Sequence, residues 1–112
     1  MPTDGISAWP SIQPPVITAP KPGPVNGLLG FQIDVAPYVS ATGSHSATDW
    51  EIRTGPDGTG VVQWSSTNDL FSKLFKIVPG LNLQLGKTYY IRARFISSTA
   101  TGPWSADVVI TT

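Results

Sequence analysis

From Leu28 onward, short runs rich in β-branched and aromatic residues alternate with clusters of Gly, Pro, Asn and Asp, the pattern of strands joined by turns. Strands are predicted at about Leu28 to Ala36, Ala47 to Thr54, Gly60 to Ser66, Lys73 to Val78, Thr88 to Ser97 and Trp104 to Thr111. "TGPDGTG" at 54 to 60 and "TATGP" at 99 to 103 read as turns, because glycine supplies the positive φ that tight turns need. No window keeps a helical period. The alternation also assigns faces. In "DWEIRT", Trp50 and Ile52 point one way and Asp49, Glu51 and Arg53 the other; in "YYIRARFI", Tyr89, Ile91, Ala93 and Phe95 form the inward row and Tyr90, Arg92, Arg94 and Ile96 the outward one. This pattern predicts an all-β chain, an antiparallel two-sheet sandwich of about seven strands over residues 28 to 112.

Residues 1 to 27 differ. They hold seven of the eleven prolines and only two charges, Asp4 and Lys21. Proline fixes φ and removes a donor, so this stretch is predicted to be an extended arm. Within it "PPVITAP" is able to pair as a short first strand on a sheet edge, where a missing N–H can face solvent. The arm also carries Ile6, Trp9, Ile12, Val16 and Ile17. A stiff segment loses little freedom on docking, so these five are the candidate partner-binding residues, Trp9 foremost.

Composition narrows the function. The chain has 112 residues, enough for one core, and no cysteine. Seven basic and seven acidic side chains cancel and form no runs. That argues against nucleic acid, whose binders gather phosphate-neutralising charge, and against capture on a membrane surface. No charged segment followed by an apolar one opens the chain, so the expectation is a protein made in a host cytoplasm without a signal peptide.

Candidate chemistry is sparse. A nucleophilic triad needs cysteine, or serine with a usable imidazole, and His45 is the only histidine. Zinc recruits several Cys or His ligands, and "PDGTG" at 56 to 60 lacks the alternating carboxylates of a calcium loop. Asp34, Asp49, Glu51, Asp57 and Asp69 are scattered and form no paired-carboxylate motif. The expectation is no catalytic residue, no metal, no cofactor and no enzyme.

"LQLGKTYYIRARFISSTATGPWSADVVITT", residues 83 to 112, resembles the last two strands of a fibronectin type III domain, with Leu83, Gly86 and Tyr89 in the family's leucine, glycine and tyrosine places. The resemblance implies that Tyr89 is a tyrosine-corner residue, its hydroxyl bonded back to the chain just upstream, and that Trp50 fills the aromatic core position of the third strand. "GPWS" beside "RAR" is similar to the aromatic-arginine arrangement of the cytokine-receptor branch, which implies stacking of Arg92 and Arg94 on Trp104 in a structural role. "SHSATDWEIRTG", "KTYYIRARF" and "GPWSADVVITT" also resemble fibronectin-like domains of bacteriophage virion proteins, through His45, Ser46, Thr48, Asp49, Trp50, Tyr89, Tyr90, Gly102, Trp104 and Ser105.

That resemblance implies a structural protein of a virus particle, foremost a capsid decoration or accessory protein docked through its arm, or else a tail or fibre component. Its expected partners are a major capsid or tail protein and sister copies in a homo-oligomer such as a trimer. The reading from another class is a carbohydrate- or surface-binding module for a host-surface glycan. It would need coplanar exposed aromatics, for which Tyr38, Trp64 and Tyr90 are the candidates.

Overall fold

The structure is a computed structural model that describes residues 12–39 and 43–112. Nine strands run through the described residues: β1 (Ile17–Ala19), β2 (Gly23–Pro24), β3 (Gly30–Val35), β4 (His45–Arg53), β5 (Val62–Asp69), β6 (Phe75–Pro79), β7 (Thr88–Ser97), β8 (Thr101–Trp104) and β9 (Val108–Thr111). They form two sheets. The smaller has the order β1-β3-β6 and the larger β2-β9-β7-β4-β5, with β8 pairing to β7 off that path. All pairings are antiparallel except β2 with β9, which is parallel.

The inward rows make the core. Ile33, Val35 and Val78 of the small sheet meet Trp50, Ile52, Tyr89, Ile91, Ala93, Phe95, Val108 and Ile110 of the large one, and Leu83 closes the end. β4 and β7 lie at the centre of the large sheet, and their paired registers put Trp50 opposite Ala93 and Ile52 opposite Ile91. Burying one large apolar side chain contributes about 1.5 to 3 kcal/mol, so these rows decide the face each strand presents.

Strand bounds depart from the sequence reading where side chains compete with the ladder. The last predicted strand, Trp104 to Thr111, is interrupted: Trp104 ends β8, which begins inside the predicted turn at Thr101, and only Val108–Thr111 form β9. Ser105 breaks it: its backbone N–H donates to the Ala93 carbonyl at 2.7 Å and its Oγ accepts from the Ala93 N–H at 3.0 Å, so the chain is re-aimed between β8 and β9. "PPVITAP" supplies the edge strand β1, with Ile17 opposite Val35. Gly23–Pro24, placed in the arm by its prolines, joins the large sheet beside β9. These pairings, with the split of the last strand, raise the count from about seven to nine.

Candidate interaction surface

The edge strand β6 sets its two faces by one polar residue. "FKIVP" is apolar in both registers except at Lys76, and Lys76 turns inward, where its Nζ reaches the Asp69 carboxylate at 2.8 Å. Phe75 and Ile77 are thereby turned outward, 51% and 57% exposed, on the outer face of the small sheet beside Gln32 and Asp34 of β3.

The loop before β6 is tied down at several points. The Asp69 carboxylate also accepts from Ser66 Oγ at 2.9 Å, from the Ser72 N–H at 2.8 Å and from the Phe71 N–H at 3.1 Å. Burial opposes ionisation of this carboxyl. The Lys76 ammonium, the Ser72 amide, the Ser66 hydroxyl and the Phe71 amide outweigh it and hold the group well below the usual carboxylate range. Trp50 Nε1 donates to the Ser72 carbonyl at 2.8 Å, and Thr48 Oγ1 to that of Lys73 at 2.7 Å. Phe71 stands on this fixed loop with its side chain in water, 95% exposed.

At the other end of β6 the turn at Gly80 presses on the Leu28 backbone so closely that a Cβ there would collide with the Leu28 carbonyl. The Leu81 N–H donates to the Gly27 carbonyl at 2.8 Å, and the Leu29 N–H to Asn26 Oδ1 at 2.8 Å. Leu29 and Leu81 remain exposed. Phe75 and Ile77 thus share the outer face of β6, and Phe71, Leu81 and Leu29 are exposed on the hydrogen-bonded turns at its two ends. Sequence reasoning missed them. The available signal was the apolar residues at the odd positions 75 and 77 of β6, whose only charge sits at the even position 76.

The predicted arm residues separate. Ile12 is buried in the core cluster, its side chain lying where a Cβ on Gly102 would sit, 2.6 Å away. Ile17 packs against that cluster from β1. Ile12 is thereby committed to its own sandwich rather than free as a docking anchor, through the gap at Gly102, while the β1 pairing leaves Ile17 half-buried against the core. Val16 is exposed, and Ile6 and Trp9 lie outside the described residues. An apolar cavity of about 170 Å³ opens beside this segment, lined by Gln13, Pro14, Pro15, Val16, Ala36, Pro37, Val39 and Phe95. Among the described residues no titratable side chain lines it.

The structural candidates come together as expected. Tyr89 is buried and its hydroxyl accepts from the Gln84 N–H at 3.0 Å, closing the corner. Trp50 is fully buried. Arg92 and Arg94 lie over the Trp104 ring at 4.1 and 4.4 Å from its centre. Behind them Arg92 and Arg53 both reach Glu51 Oε1, at 2.6 and 2.5 Å, and Arg94 Nε reaches Asp49 Oδ2 at 2.7 Å. The outward acids of β4 are therefore capped and buried beneath the arginines.

The aromatic platform does not assemble. Trp64 pairs with Ile52 and packs against the core, and Tyr38 packs there too, stacked on His45 at 4.8 Å between ring centres. Tyr90 is on the opposite, outward row of β7. Tyr38 and Trp64 pack against the core while Tyr90 lies on the outward row of β7, so the three do not form one flat surface. His45 contacts Phe95 at 4.5 Å between ring centres, and its Nε2 shares a hydrogen bond of 2.8 Å with Thr48 Oγ1. Burial, with Lys73 nearby, lowers its pKa against the opposing backbone contact at Ala47. Among the described residues no group of three His, Cys, Asp or Glu side chains could hold a metal ion.

No family model matches the chain, and no curated protein matches it. Thirteen chains of known structure do. One is the sixth fibronectin type III domain of the human fibronectin type III domain containing protein 3, 21% identical over 96% of this chain and 89% of that one, with a TM-score of 0.48. The two-sheet strand order and the Tyr89 corner give this sandwich its fibronectin type III-like character.

Proposed function

We propose that the chain is a non-enzymatic structural protein of a virus particle, a bacteriophage capsid decoration or accessory protein. The observation that carries the assembly role is the apolar edge from Phe71 to Leu81, held rigid and left in water. Contiguous exposed apolar surface of this kind marks a site of protein association. The virion setting is supported by the resemblance in "SHSATDWEIRTG", "KTYYIRARF" and "GPWSADVVITT".

Docking on the particle falls to residues 1–11 with Ile6 and Trp9, together with Val16. Ile12 and Ile17 serve as the point where this segment is fastened to its own sandwich. The glycan reading loses its platform, since Tyr38 and Trp64 are committed to the core.

The test is binding of the purified chain to particles that lack it, comparing the full chain with one deleted for residues 1–11. Deletion to residue 20 would also remove Ile12 and β1 and so confound docking with folding. Lost occupancy with unchanged circular dichroism supports the reading. Undiminished occupancy by the deleted form sinks the arm.

A further inference from the structure

We propose that the outer edge of the small sheet, centred on β6, is the contact of a homodimer formed about a two-fold axis. This needs nothing from the virion reading; it rests on size, charge and rigidity of the surface.

Leu29, Phe71, Phe75, Ile77 and Leu81 are between 51% and 95% exposed. With about 150 to 200 Å² for a large apolar residue in full, they offer roughly 500 to 700 Å². The largest apolar patch on an ordinary monomer is about 300 to 600 Å². A standard interface takes about 800 Å² from each partner, a little over half of it apolar, so the patch is large enough for the apolar part of one side of a stable dimer.

Charge does not oppose a second copy. The only cation of β6, Lys76, is turned inward onto Asp69, and at the rim Gln32 Nε2 donates to Asp34 Oδ1 at 2.6 Å. The chain carries seven basic and seven acidic residues, so two copies have no net repulsion. A strongly charged partner finds no complement on the apolar row. A second copy brings the same row, and a self-complementary contact closes with two-fold symmetry.

Contact is through side chains. The inward lysine blunts β6 as a template for strand addition, since an added strand would have to pass the Lys76–Asp69 bridge at the sandwich edge. Phe71 and Leu74 stand on a loop already fixed by Asp69, Trp50 and Thr48, so little freedom is lost when they are covered.

Sedimentation equilibrium of the full chain, from about 1 μM to about 1 mM, reads the outcome directly. The expected result is a monomer–dimer equilibrium, weakened at least about tenfold by Phe71→Asp and again by Ile77→Lys. Phe71→Leu should retain dimerisation, and Val109→Asp, on the outer row of β9, should leave it unchanged. Each variant is checked by circular dichroism and its melting midpoint, and the two disruptive changes lie on separate elements so that one misfolded variant leaves the other informative. A monomer throughout the range, a trimer, or a dimer indifferent to both substitutions overturns the proposal. The particle-binding test deletes residues 1–11 and leaves this edge intact, so failure of the dimer and failure of particle docking are read separately.

Discussion

Replacing Ile12 by alanine tests whether the Pro-rich segment is part of the fold. Ile12 is 7% exposed and belongs to the core cluster that includes Phe95. The substitution removes three carbons, and at ~0.8 kcal/mol for each buried methylene the transfer loss is about 2.5 kcal/mol. Core isoleucine-to-alanine changes cost about 2 to 5 kcal/mol. The value belongs at the lower end, because the segment is peripheral and able to settle into the space vacated. About 4 °C is lost per kcal/mol in a domain of this size, so the melting midpoint should fall by about 8 to 10 °C. Urea denaturation followed by tryptophan fluorescence is the assay, with a lower midpoint at unchanged slope as the expected signature. Gly102→Ala should act through the same contact, since its Cβ would meet Ile12 at 2.6 Å and the Phe95 carbonyl at 3.2 Å. A loss below about 0.5 kcal/mol for Ile12→Ala, the size of an ordinary surface change, would refute the placement of Ile12 in the core.

Two further predictions concern polar contacts. Tyr89→Phe strips the corner of the acceptor for the Gln84 N–H and should cost about 1 to 3 kcal/mol, read by the same denaturation; a neutral result would deny the corner its structural role. Acidification should destabilise the chain in two stages. His45 and Asp69 both have pKa values lowered by the fold, so each contributes stability that is present above its unfolded pKa and lost as pH falls. The His45 loss begins below about pH 6.5 and the Asp69 loss below about pH 4. Melting midpoints measured from neutral to acid pH should show the upper stage vanish in His45→Gln, and an unchanged profile in that variant would contradict the assignment.

The central strands were legible because their two faces differ. In β4 and β7 every inward position from Trp50 to Phe95 is apolar while the outward ones hold acids and arginines, so period-two alternation gave faces and cross-strand partners together. The Tyr89 corner and the stacking on Trp104 were expected from the resemblance of the C-terminal stretch to fibronectin type III domains. Less was legible where the decision is tertiary. "FKIVP" is apolar on both faces, and only the position of Asp69 in space tells Lys76 to turn inward and Phe75 outward. Proline content made residues 1 to 27 read as an arm. It could not show that Ile12 finds a gap at Gly102 or that Gly23–Pro24 finds a place beside β9. Likewise the exposed residues that form the candidate surface went unread, because hydrophobicity alone does not say which side of an edge strand meets water.

Quantitative mass spectrometry of purified particles tests the central claim most directly. As a decoration or accessory protein the chain should be present at a fixed ratio to the major structural protein, and that ratio should survive repeated purification. Its absence from particles that are otherwise complete would contradict the proposed function.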